Sequence, residues 1–96
     1  MEPSHPGALL RETIIPALDT SIKDLAAHLG LSRVALSELV NEKRGVSVEM
    51  AQRLGQAFGN GARFWLALQM QHDLWRAEQH KSINVRPLEW KGRTAT

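Results

Sequence analysis

At 96 residues, with 43% apolar side chains and a formal charge of +2, the chain holds one domain around a single modest core. The absence of cysteine excludes a disulfide framework and any thiolate metal site, and no apolar run approaches the length that spans a bilayer. The first ten residues, MEPSHPGALL, lack the basic start and apolar stretch of a signal peptide, so the expected setting is the cytoplasm, without a membrane partner.

Helical signals fill the chain from Pro6 onward. Proline suits a first helical turn, so a first helix is expected from Pro6 through Leu9, Leu10 and Ile14, ending before Pro16. Ser21 caps a second helix, with Asp24 three residues later in a weaker version of the capping box. Leu25, Ala26 and Leu29 share one face of it, and Gly30 supplies a left-handed exit. Ser32 caps a third helix that runs through Val40, and the polar NEKRG stretch at 41–45 is a loop. Ser47 caps a fourth helix whose apolar stripe is Met50, Ala51, Leu54, Ala57 and Phe58, and residues 59–61 (GNG) break it. A fifth helix spans Ala62 to Gln79. The remaining segment, 80–96, sets Lys81, Arg86, Lys91 and Arg93 against Glu89, a basic tail. Ile83, Val85, Leu88 and Trp90 are spaced as in an extended segment, which Pro87 limits to an edge strand or coil. The expected fold is all-α: five helices over residues 1–79, a helix-turn-helix unit at 21–40 within them, and a short C-terminal tail.

The break at Gly30-Leu31-Ser32 admits two readings. It can simply fold a structural bundle back on itself, leaving Arg33 and Lys43 as ordinary solvated charges. It can also set the third helix at the angle at which a recognition helix enters a major groove. Leu25, Leu29, Leu31, Leu36 and Leu39 are placed to form a wedge between the two helices, and the small Ala26 allows close backbone approach. These positions, Gly30 and the Ser32 cap agree with one another and favour the DNA reading. The outward side of the third helix then carries Arg33, Val34, Ala35, Ser37 and Glu38 behind the capping Ser32. Arg33 suits a bidentate guanine contact, Val34 and Ala35 suit thymine methyls, and Ser37 suits a base or a phosphate. Glu38 can accept from a cytosine amine, or repel phosphates and so filter register. Lys43 and Arg44 in the following loop, and Lys23 beside the positive end of the second helix, suit phosphates.

The fifth helix carries more apolar surface than one core-facing helix needs. Phe64, Leu68 and Trp75 fall on one sector and Leu66, Met70, Leu74 and Ala77 on the next. Gln69, His72, Asp73 and Arg76 make the one coherent polar strip, with Trp65 at its edge. The surplus is expected to form a dimer interface through Phe64, Leu66, Leu68, Met70, Leu74 and Trp75, with a tail folded back over the helix as the competing explanation. A two-fold dimer would set two copies of the third helix about 34 Å apart, one turn of DNA, so that two small basic patches act together.

The sites of enzymes are missing. His5, His28, His72 and His80 form no i, i+4 pair, and His72 and the adjacent Asp73 point in different directions on a helix. There is no glycine-flanked nucleophile and no phosphate-binding glycine loop. No catalytic residue, metal or cofactor is assigned.

The stretch LAAHLGLSRVALSELVNEKRGVSVEMAQRLGQAFG resembles the core of the Cro/C1-type (XRE) helix-turn-helix regulators, the lambda repressor-like fold. Its flanks narrow the match: HPGALLRETIIPAL at 5–18 and RFWLALQMQHDLWRA at 63–77 resemble the opening and closing segments of HigA-type antitoxins. The three blocks cover residues 5–77 in order. One departure is Ile22, where many Cro/C1-type repressors place a glutamine that braces a phosphate contact. The resemblance implies a dimeric autorepressor that binds a palindromic operator in its own promoter and neutralises a RelE-like ribonuclease toxin. The toxin-binding surface is not assigned. A stand-alone or prophage repressor without a toxin, and an interaction protein that inhibits without binding DNA, are the competing functions.

Overall fold

The computed structural model describes residues 2–80 and 83–90. Among these residues the structure is all-α, with five helices and no strand. Helix α1 covers residues 6–18 in three contiguous segments: α-helix Pro6–Leu9, π-helix Leu10–Ile14 and α-helix Ile15–Leu18. It is followed by α2 (Ile22–Leu29), α3 (Arg33–Val40), α4 (Val48–Phe58) and α5 (Ala62–His80).

The first helix does not stop before Pro16, as its sequence suggested. A proline inside an α-helical ladder lacks the N–H and presses its ring on the carbonyl four residues earlier. The π turn lengthens the ring of the hydrogen bond, with the Ile15 N–H reaching the Leu10 carbonyl, and this re-spaces the ladder just ahead of Pro16. Pro16 then sits in the first turn of a fresh α segment, where its missing N–H costs little. Asp19, in the left-handed region at φ 52°, ends the helix.

The HPG opening of α1 has a separate reason for each residue. His5 is the N-cap, its Nδ1 accepting from the Gly7 N–H at 2.9 Å, and Pro6 fills the first turn. Gly7 lies against the end of α3, where a Cβ would overlap the Leu39 carbonyl.

The core joins all five helices. Leu10, Leu36, Leu39, Ala51, Leu54 and Trp65 are wholly buried, with Leu25, Ala26, Leu29, Val40, Val46 and Met50 nearly so. Of the expected leucine wedge, four members are buried and Leu31 is half-buried against it. The α4 stripe buries Met50, Ala51 and Leu54 and half-buries Phe58, but Ala57 is exposed. Gly55 permits the start of α5 to cross α4 closely, since a Cβ there would overlap the backbone of Gly61 and Ala62.

Helix α5 sits on the domain through Trp65, His72 and the half-buried Gln69, while Asp73 and Arg76 of the expected polar strip stay exposed. Trp65 is wholly buried and donates from Nε1 to the Asn60 side-chain carbonyl at 2.8 Å. His72 is 4% exposed, and its Nδ1 bonds the Pro3 carbonyl at 3.0 Å. Gln69 accepts the Val46 N–H at 2.8 Å and donates to Asp73 at 2.9 Å. The physical reason is the backbone: the arm at 3–5 and the loop before α4 expose peptide groups that buried polar side chains must satisfy. Phe64, Met70 and Leu74 are left exposed, while Leu66, Leu68 and Trp75 are half-buried. Residues 83–90 adopt no regular element, and Ile83, Val85, Leu88 and Trp90 stand exposed, so this segment does not cover α5. Lys81, Lys91 and Arg93, which carry most of the charge read for the tail, lie outside the described residues.

Candidate nucleic-acid interface

The turn between α2 and α3 closes as a Schellman motif, with Gly30 left-handed at φ 73°. The Leu31 N–H reaches the Ala26 carbonyl at 2.9 Å and the Gly30 N–H reaches that of Ala27 at 3.2 Å, satisfying two orphan carbonyls. Arg53, reaching over from α4, donates to the Leu29 carbonyl at 3.1 Å. A Cβ on Gly30 would stand only 2.5 Å from the Arg53 Nη1. Glycine is required here for its backbone angle, while a Cβ would only displace the flexible end of Arg53 from its contact with the turn. No pattern in the chain announced Arg53 as the brace of this turn.

Helix α3 begins at Ser32, whose Oγ accepts from the Ala35 N–H at 3.0 Å. Leu36, Leu39 and Val40 turn to the core, and Arg33 and Val34 project fully outward, Val34 with two thirds of its surface exposed. Ser37 and Glu38, one turn on, are half-buried along the same side. Ala35 is half-buried against the core. Lys23 is exposed in the first turn of α2, and Lys43 and Arg44 are exposed in the loop that follows α3.

The end of α3 repeats the Schellman arrangement without glycine. The Lys43 N–H bonds the Glu38 carbonyl at 2.8 Å, and the Glu42 N–H bonds that of Leu39 at 3.0 Å. Glu42 takes the left-handed angle, φ 60°, at a cost that a glycine would avoid. Arg11 of α1 holds it there, donating to Glu42 at 2.9 Å and to the Val40 carbonyl at 2.7 Å. Asn41 donates from Nδ2 to the Ser37 carbonyl at 2.8 Å and lies within 3.4 Å of the Ser37 hydroxyl, so it shares that residue's surface. The closed loop returns Arg44 to Glu38. Its Nε and Nη2 both donate to Oε1 of Glu38, at 3.1 and 2.8 Å. The sequence offers these two residues as separate contacts, and the fold makes them one ion pair.

Behind this loop, a polar cleft of about 450 Å³ is lined by the loop, by His5 and by Gln69, His72, Asp73 and Arg76 of α5. The His5 and His72 rings meet edge to face, 5.0 Å between centroids. The burial of His5, and then the His72 ring, hold the imidazole below its ordinary value, against the pull of Glu42, Asp73 and the Arg44 backbone. A neutral His5 accepting at Nδ1 keeps the cap of α1 in place. Among the described residues, no cluster of three or more histidine and carboxylate groups is arranged to hold a metal.

A helix pair joined through a tight left-handed glycine turn, a capped second helix with exposed side chains on its outward side, and cations around its ends define the helix-turn-helix class of proteins. A family model described as helix-turn-helix matches residues 10–65, and the chain belongs to that family, in its Cro/C1 (XRE) type. Among its relatives is virulence-associated protein A′ of Dichelobacter nodosus, 41% identical over 90% of this chain and 75% of that protein. Antitoxin HigA of Pseudomonas aeruginosa, solved with the higBA promoter, is 38% identical with a TM-score of 0.78, covering 81% of this chain and 85% of that one. Antitoxin GraA in complex with its operator is 39% identical, also with a TM-score of 0.78, over 83% of this chain and 81% of that one.

Proposed function

We propose that the protein is the antitoxin of a type II toxin–antitoxin pair and a dimeric repressor of its own promoter. The observation that carries the DNA-binding half is the outward face of α3, with Arg33 and Val34 exposed behind the Ser32 cap and cations at both ends. Two structural neighbours of this size and identity, both antitoxins, were solved with promoter or operator DNA. Arg33 reads a guanine, Val34 and Ala35 meet thymine methyls, and Ser37 touches a base or phosphate. Lys23 and Lys43 bind phosphate from either side of the helix. Ala35, half-buried, has only its outer edge for such a contact.

The exposed apolar side chains of α5 support the dimer reading. With Trp65, Gln69 and His72 spent on the domain and Leu66 and Leu68 packed against its core, Met70 and Leu74 remain exposed one turn apart, Phe64 is exposed as well and Trp75 is half-buried. An apolar row of this kind on a small domain is covered most simply by its two-fold copy. The partner toxin is read as a RelE-like ribonuclease, on the resemblance of the flanking segments to HigA-type antitoxins.

The test is binding of the purified protein to the DNA upstream of its own gene. The wild type should prefer that duplex over a scrambled one, and Arg33→Ala should cost about 1–3 kcal/mol on the specific duplex with a much smaller loss on the scrambled one. Equal losses on both would reduce Arg33 to a phosphate contact, and no binding at low salt would end the repressor reading. For the toxin, the adjacent small gene should arrest growth when expressed alone and not when this gene is co-expressed. A harmless neighbour removes that half of the proposal.

A further inference from the structure

The loop after α3 pairs Arg44 with Glu38, which lies one turn along α3 from the exposed Val34. The fold makes this pairing specific: the Lys43 N–H bonds the Glu38 carbonyl, and Glu42 takes a left-handed angle to let it do so. The guanidinium then reaches Oε1 of Glu38 with two donors, at 3.1 and 2.8 Å. Both side chains are a little under half exposed, in the range where an ion pair is worth little and exchanges partners readily. An arginine so held is neutralised as a phosphate ligand. A carboxylate stripped of it beside a duplex would face phosphates unpaired, which is unfavourable.

We propose that Glu38 is a specificity-determining residue that acts through Arg44, keeping the guanidinium off phosphate until a base-edge amine takes its place on the carboxylate. The fitting donor is the N4 amine of a cytosine in the major groove, the base-pair edge that a carboxylate accepts from. On a site with that cytosine, the carboxylate changes partner and Arg44 is released to the adjacent phosphate. On other sequence no donor replaces Arg44, the pair stays closed, and one cation per copy is withheld from non-specific binding. Specificity thus arises from an attractive contact on the right site and a withheld one on every other. The proposal rests on the repressor reading above and deepens it.

The experiment compares wild type, Glu38→Gln, Arg44→Ala and the double variant on the gene's own upstream duplex and on a scrambled duplex of the same composition. Dissociation constants are measured by fluorescence anisotropy between about 50 and 200 mM salt. Glu38→Gln frees Arg44 everywhere, so binding to scrambled DNA should tighten about three- to tenfold, with a salt slope steeper by about one per copy. The upstream duplex should gain less, or lose, so that the preference falls. Adding Arg44→Ala should abolish the gain on scrambled DNA. An unchanged preference in Glu38→Gln, or a gain that survives without Arg44, overturns the proposal. If wild type has no preference for the upstream duplex, the repressor reading fails and this inference falls with it. If wild type has the preference and Glu38→Gln retains it in full, only the role given to Glu38 is lost.

Discussion

Gly7 sits where the first turn of α1 meets the last turn of α3, and the contact is backbone against backbone. A methyl group there would overlap the Leu39 carbonyl, and neither partner is the end of a flexible side chain. Gly7→Ala should therefore push α1 off α3 and destabilise the domain by about 1–3 kcal/mol, the range for overpacking. In a chain of this size that is a fall in Tm of at least about 4 °C, read by circular dichroism. An unchanged Tm would mean that α1 shifts freely against α3. Gly30 is required in another way, through its left-handed φ of 73°, since the Arg53 guanidinium near a would-be Cβ is the end of a flexible side chain. At this scale the chain was readable where chemistry is local. The caps Ser21, Ser32 and Ser47 each accept from the N–H three residues on, as their spacing implies. Arg11, Arg53 and Asn41 were not readable, because their partners are backbone carbonyls at helix ends, and those at the ends of α2 and α3 are reached by Arg53 and Arg11 only across the fold.

The ends of α2 and α3 are tied to neighbouring helices by Arg53 and Arg11, and the arm before α1 is tied to α5. His5 caps α1 with a neutral Nδ1, and its ring meets His72, which bonds the Pro3 carbonyl. Because the folded pKa of His5 lies below its ordinary 6.5, the folded state binds fewer protons than the unfolded state near that pH. Its contribution is complete above the unfolded value and is lost as pH falls through 6.5 toward the folded value. Tm should accordingly drop between about pH 7.5 and 5.5, and His5→Asn should flatten the drop while keeping an acceptor for the Gly7 N–H. A variant that loses stability with acid as steeply as wild type would place the titration elsewhere. The elements themselves followed from periodicity and caps, with two exceptions. Pro16 read as a stop because the π turn that absorbs it has no sequence signature in a single chain. The burial of Gln69 and His72 on α5 has no signal in the sequence, because periodicity counts apolar side chains and ignores the backbone groups these two satisfy.

As a whole, the molecule separates two surfaces. The α2–turn–α3 unit and the loop to Arg44 form one, and the exposed Met70 and Leu74 of α5 form the other. If α5 is the dimer contact, Met70→Glu with Leu74→Glu should leave the fold intact, since both residues are more than half exposed. Sedimentation should then show a monomer, and operator affinity should fall by far more than either single charge could cause, because two half-sites no longer bind as one. A dimer that survives both substitutions would place the contact elsewhere. The sequence by itself determined the five helices, the serine caps of α2, α3 and α4, the leucine wedge and the outward placement of Arg33 and Val34, since each depends on neighbours within a turn or two. Only the tertiary structure decided which face of α5 is buried, that residues 83–90 leave that helix uncovered, and that Glu38 and Arg44 are partners. Those outcomes depend on which backbone groups distant segments bring together, and spacing along a chain carries no record of that.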